Sequence, residues 1–133
     1  MKRGFMAISI QIESETGMAI ATCSGVLQIE DAKKGAATLW KSPDWKGVSV
    51  VWDFREAQFD VTTSNVRRIA EFVLRRQPAI PPAKVAFVTQ RDVDFGMARM
   101  FEVFREDPRT AFRVFRDFDE AVSWARTTGT DAT

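Results

Sequence analysis

A strand pattern changes to a helix pattern within residues 48–73, VSVVWDFREAQFDVTTSNVRRIAEFV. The first part is a nearly continuous apolar run rich in β-branched and aromatic residues, which is typical of a strand buried on both faces. The apolar residues of that run are Val48, Val50, Val51, Trp52 and Phe54. The second part repeats apolar residues at helical spacing, with arginines mostly off that face. Those residues are Val66, Ile69, Ala70, Val73 and Leu74.

The polar residues 55–65, between the two patterns, are interpreted as a loop. Ligands of open α/β sheets bind where strands end and helices begin, so this loop is the first candidate site. We predict an interaction or regulatory loop formed by Asp53, Arg55, Asp60, Thr62, Thr63 and Ser64.

The three consecutive hydroxyl residues of that loop, 62–64, stand where the following helix needs an N-cap. We therefore favour a capping role over a regulatory one. Unpaired amides and the helix dipole would also favour a phosphate or another anion at this helix start, so modification of Thr62, Thr63 or Ser64 stays an open alternative.

Length and composition are those of one globular domain. The chain has 133 residues, of which 45% are hydrophobic and 28% charged. We expect a single domain over residues 1–128 and a polar tail over 129–133, with Gly129 ending the last helix. Charged residues interrupt every apolar run and the start lacks the pattern of a secretory signal, so we expect no membrane span and a cytoplasmic protein.

The absence of histidine removes most catalytic and zinc chemistry, including Ser-His and Cys-His nucleophile pairs. Asp53, Glu56 and Asp60 could hold Mg²⁺ through oxygen ligands, but pairing with nearby arginines is favoured. We predict no enzyme activity, no cofactor and no metal.

A net charge of +1 gives no general attraction to nucleic acid. The single cysteine, Cys23, is predicted to be a buried small hydrophobe.

The remaining elements complete a β-β-α-β-α-β-α-β-α order. Two alternating strands, 5–13 and 18–24, form a hairpin, with Ser24-Gly25 ending the second. The later elements are a helix over 28–41, a strand over 84–89, a helix over 93–104, a strand over 110–116 and a helix opened by Asp117. This order predicts an α/β fold with a mixed five-stranded sheet, an initial antiparallel hairpin, largely parallel later strands and four packed helices.

The third helix carries a second candidate site. Its predicted core face is Val93, Met97, Met100, Phe101 and Phe104. Phe95 and Val103 fall outside that face and are the best candidates for an exposed apolar patch, which leaves a homodimer open. The alternative for Phe95 is that it covers the start of the helix. We predict an apolar patch or pocket formed by Phe95, Met97, Met100, Phe101 and Val103.

Five short motifs resemble the SpoIIAA-like branch of the STAS superfamily. They are Ser24-Gly25, Pro43-Asp44-Trp45, Trp52-Asp53-Phe54-Arg55, residues 95–100, and Val114-Phe115-Arg116-Asp117 followed by residues 121–124. The resemblance covers nearly the whole chain and implies the element order obtained from periodicity. It also implies the domain type of anti-sigma factor antagonists and of the cytoplasmic modules of sulfate transporters.

Phosphoregulated STAS proteins carry an Asp-Ser-Ser-Gly type motif before the second helix, and its serine is modified by a partner kinase. The matching residues here are Asp60-Val61-Thr62-Thr63. Val61 occupies the position of the modified serine, so the usual phosphoacceptor does not carry over.

The resemblance and the residues together predict a non-catalytic regulatory or protein-interaction domain. Its unknown protein partner would bind the loop 55–64 and the adjoining helix. The alternative is a module that binds a lipid or another small ligand in an apolar pocket near the third helix.

Overall fold

Five strands and four helices follow in the predicted order in the computed structural model, which describes residues 6–127. The strands are β1 (Ala7–Ile12), β2 (Ala19–Leu27), β3 (Ser49–Phe59), β4 (Lys84–Val88) and β5 (Ala111–Phe115). The helices are α1 (Ile29–Trp40), α2 (Thr63–Arg76), α3 (Asp92–Phe104) and α4 (Phe118–Arg126).

The strands form one mixed sheet in the order β1-β2-β3-β4-β5. β1 and β2 are antiparallel, and every later neighbour is parallel. Gly17 turns the hairpin with φ of 74°, and its amide donates to the Glu13 carbonyl at 2.8 Å. The predicted sheet is confirmed.

Helices cover both faces of the sheet. On one face, Leu39 of α1 packs with Val50 and Val85, and Val66 of α2 packs with Phe101 of α3. On the other face, Val51 of β3 packs against α4. Because Val50 and Val51 point to different layers, β3 is buried on both faces, as its apolar run predicts.

β3 extends five residues beyond the predicted strand, so the interpretation of residues 55–65 as a loop is wrong for 55–59. These residues pair with β2, from Ser24↔Glu56 to Leu27↔Phe59. β2 likewise continues through Gly25 to Leu27 instead of ending at Ser24-Gly25. The two extensions pair with each other, residues 24–27 of β2 with residues 56–59 of β3.

A β-bulge explains why the sequence pattern hid this extension. The register moves from Thr22↔Asp53 to Ser24↔Glu56, which leaves one extra residue on β3. The extra residue shifts the alternation, so that Phe54 and Ala57 are both buried in one cluster. Residues 55 and 56 are exposed between them, which breaks the period of two.

The outer faces of α2 and α3 differ from the predicted ones at three positions. Leu74 belongs to the predicted apolar face of α2 and Val93 to the predicted core face of α3, but they are 37% and 54% exposed. Phe95 was a candidate for the exposed patch but is half-buried, with the Arg116 guanidinium 4.4 Å from its ring centre. Val103 is 68% exposed, as predicted.

The last helix begins as predicted. Asp117 is its N-cap, and the Asp117 carboxylate accepts a hydrogen bond from the Glu120 amide at 2.9 Å. The helix ends at Arg126; the predicted end at Gly129 and the tail 129–133 lie outside the described residues.

Cys23 lies fully buried in β2, which confirms its predicted role. Burial raises the pKa of its thiol to about 12, and the Asp53 carboxylate contributes in the same direction. The thiol is therefore neutral at physiological pH and packs as a small apolar group.

The same substitution at two leucines tests the packing. Leu39 is 1% exposed, so Leu39→Ala should lower the free energy of unfolding by about 2–5 kcal/mol. Leu74→Ala, on the outer face of α2, should lower it by less than about 1 kcal/mol. Denaturant unfolding measures both, and equal losses would contradict the layer assignment.

Candidate functional site

The start of α2 is fixed by a reciprocal cap. The Thr62 hydroxyl accepts a hydrogen bond from the Asn65 amide at 3.1 Å, and the Asn65 side-chain oxygen accepts one from the Thr62 amide at 3.3 Å. The predicted capping role is thus confirmed, with Thr62 as the residue that fills it.

Four exposed residues, Asp60, Thr62, Thr63 and Ser64, form a surface at this point, here named the α2-start surface. The Asp60 amide donates to the Leu27 carbonyl at 2.8 Å, and its carboxylate accepts from the side chain of Gln28 at 2.9 Å. Because Gln28 is the N-cap of α1, these bonds tie the starts of α1 and α2 together.

The other two residues of the predicted loop, Asp53 and Arg55, belong to β3 and make a structural pair. The buried Asp53 carboxylate accepts from Arg55 Nε and Nη2, both at 2.9 Å. These hydrogen bonds raise the pKa of Arg55. The Arg55 guanidinium also lies 4.4 Å from the ring centre of Phe118 in α4. The six predicted residues therefore separate into two groups: the buried Asp53 with the exposed Arg55 beside α4, and the α2-start surface.

The three carboxylates weighed as Mg²⁺ ligands, those of Asp53, Glu56 and Asp60, do not form one site, and the favoured arginine pairing is found at Asp53. Asp53 is engaged by Arg55, and Asp60 by Gln28. Among residues 6–127, no group of three or more cysteine or acidic side chains is placed to hold a metal ion.

Sequence reasoning missed Asp94, a residue of α3 that holds the end of β3 in place. Its buried carboxylate accepts from the Phe59 amide at 3.2 Å and lies 3.3 Å from Arg91 Nε. Asp92 and Asp94 in the first turn of a helix were the available signal, but they fit the helix dipole equally well.

The predicted apolar set on α3 does not form one patch. Met97 and Phe101 line a cavity of about 120 Å³ between the sheet and the helices α1, α2 and α3. Met100 packs against the cluster of α2, Phe95 lies against Arg116, and Val103 faces solvent. A homodimer through Phe95 and Val103 stays a prediction.

A polar network at the ends of α2 and α3 was also missed. Asp107 accepts hydrogen bonds from Arg109 Nη2 at 2.8 Å and Gln77 Nε2 at 3.0 Å. The Arg109 bonds, chiefly, hold the pKa of Asp107 far below its usual range. Gln77 in turn accepts from Arg105 Nη2 at 3.4 Å. Nothing in the sequence pattern distinguishes these residues from ordinary surface polar residues.

Two solved structures share this architecture. An uncharacterized protein from the DUF3478 family of Shewanella loihica PV-4, described as having a SpoIIAA-like fold, aligns with a TM-score of 0.61 and 18% identity over 94% of this chain and 97% of that one. An anti-sigma factor antagonist from Mycobacterium paratuberculosis aligns with a TM-score of 0.57 and 12% identity over 91% and 96%. The chain has a SpoIIAA-like fold.

That fold is the one implied by the resemblance in the sequence, and the structural likeness confirms it. At these identities the likeness concerns architecture alone. No protein-family model matches the chain, and no curated protein matches it. Within residues 6–127 of this SpoIIAA-like chain, no helix is long and apolar enough to cross a membrane.

Two neighbouring threonines test the cap. Thr62→Ala removes the acceptor for the Asn65 amide and should lower the free energy of unfolding by about 1 kcal/mol. Thr63→Ala, one residue further and exposed, should change it by less than about 0.5 kcal/mol. Chemical denaturation compares the two, and a larger loss at Thr63 would overturn the assignment of the cap.

Proposed function

We propose that this SpoIIAA-like chain is a non-catalytic regulatory domain that binds a protein partner through the α2-start surface. The proposal is carried by one observation: the exposed polar side chains of this surface belong to a backbone segment that three hydrogen bonds hold in place. The anti-sigma factor antagonist of similar fold supports a regulatory role without identifying the partner.

The fixed backbone favours binding because little conformational freedom is lost when a partner docks. The cap at Thr62, the Asp60 amide on Leu27 and the Phe59 amide on Asp94 hold consecutive parts of the segment. The side chains of Thr63 and Ser64 project from the first turn of α2 and are exposed. Such a surface is preorganised for recognition.

Regulation by phosphorylation at the usual position is not part of the proposal. Val61 takes that position, and its half-buried side chain packs against the clusters around Phe54 and Val66. The neighbouring hydroxyl of Thr62 is already engaged in the cap. Binding here would instead depend on the shape and the polar groups of the surface.

Two further features support a non-catalytic protein in a reducing compartment. The chain lacks histidine, the most frequent general base in enzymes. The single buried thiol of Cys23 suits the cytoplasm.

Photo-crosslinking in the native cell tests the surface. A benzoyl-phenylalanine at position 63 should capture one discrete protein, because Thr63 lies within the proposed contact. The same group at position 123, exposed on α4 in the opposite layer, is the control and should not capture it.

The captured protein then allows a direct binding test. Ser64→Arg should weaken its binding at least about tenfold by placing a long charged side chain in the contact, whereas Ser123→Arg should leave it within about twofold. Equal capture from both positions, no capture from position 63, or unchanged binding by Ser64→Arg would refute the proposal.

A further inference from the structure

The cavity under helices α1, α2 and α3 has an almost entirely apolar lining with one charged side chain. Aromatic rings form much of it: Phe54 and Phe87 have ring centres 5.0 Å apart, and Phe87 and Phe112 4.8 Å apart. Among the described residues that line it, Arg105 alone is charged. Small-molecule sites typically combine such an apolar lining with few polar groups.

Arg105 is buried without a full set of hydrogen-bond partners. It is 3% exposed, and its Nη1 has no hydrogen-bond partner among residues 6–127. Its Nη2 donates to Gln77 at the long distance of 3.4 Å, and its guanidinium lies 5.4 Å from the ring centre of Phe112. A buried donor normally finds an acceptor, so this one needs an explanation.

No carboxylate in the described chain bonds directly to Arg105 to balance its charge. Asp107 acts on it electrostatically, but the hydrogen bonds of the Asp107 carboxylate come from Arg109 and Gln77. Burial lowers the pKa of Arg105, yet an arginine side chain stays protonated in proteins. The Arg105 guanidinium is therefore a buried cation beside an apolar cavity, and its Nη1 is a donor without an acceptor among residues 6–127.

We propose that this cavity binds a small apolar carboxylate, whose acid group accepts hydrogen bonds from Arg105 and whose hydrocarbon body lies among the phenylalanine rings. Guanidinium and carboxylate groups pair strongly and often with two parallel bonds. The size limits the ligand: the volume of about 120 Å³ is somewhat below the roughly 150 Å³ of an engineered cavity that holds benzene. The hydrocarbon body of the ligand is therefore expected to be no larger than a single ring or a short chain.

Two probe molecules of the same shape separate the charge from the apolar contact. Benzoate and benzyl alcohol both present a benzene ring, but only benzoate carries the carboxylate. Titration calorimetry of the wild-type protein should show benzoate binding roughly tenfold or more tightly than benzyl alcohol, because its bonds to Arg105 are charge-assisted. Benzoate should also shift the NMR signal of the Arg105 side-chain Nε more than benzyl alcohol does.

Variants of two arginines assign the preference to one residue. Arg105→Met should abolish the preference for benzoate while leaving the affinity for benzyl alcohol within about threefold. Arg99→Met, at an exposed position on α3, the helix that ends just before Arg105, should retain the full preference. If Arg105→Met fails to fold, Arg105→Lys keeps the charge without the planar pair of donors and should reduce the preference.

Three outcomes would overturn the inference: equal affinity for the two probes in the wild-type protein, no binding of either, or an unchanged preference in a folded Arg105 variant. Equal affinity would mean that ordered water satisfies Nη1. The result is independent of the α2-start surface, since the probes require no protein partner.

Discussion

The first part of β3, residues 50–53, is enclosed on both edges and both faces, and most of the fold follows from that constraint. Its edges pair with β2 and β4, while its two faces are covered by α1–α3 and by α4. A parallel strand in this position needs crossover helices and apolar residues at nearly every position. The bulge between Asp53 and Glu56 is where this regular pattern changes.

The bulge connects the strand to both proposed sites. It brings Phe59 to the face that already holds Phe54, so that both line the cavity, and it lets the chain leave β3 at Asp60 beside the start of α2. The exposed Arg55 folds back onto the buried Asp53, so that the carboxylate is paired where the strand bends. A buried carboxylate left unpaired there would be strongly destabilising.

The element order was predictable because periods of two and 3.6 residues differ clearly over most of the chain, and cap chemistry located the starts of α2 and α4. The end of β3 was not predictable from the sequence, because the bulge interrupts the two-residue alternation of the strand. Only the pairing with β2 shows that residues 56–59 belong to β3. The first turn of α3 buries Asp94 and leaves Val93 exposed, because the Asp94 carboxylate accepts a hydrogen bond from the Phe59 amide. Arg105 is buried because the ends of α2 and α3 pack against β5, where it contacts Gln77 and Phe112. These contacts join residues far apart in the sequence, so no local sequence pattern predicts them.

Hydrogen exchange at the end of β3 tests most directly whether residues 55–59 form a bulged strand, on which both the α2-start surface and the cavity depend. The Phe59 amide bonds to Asp94, and the Asp60 amide bonds to the Leu27 carbonyl. Both amides should exchange about two orders of magnitude or more slowly than in an unstructured chain. Exchange of both at near-unstructured rates would mean that the segment is a loop, and would contradict the account.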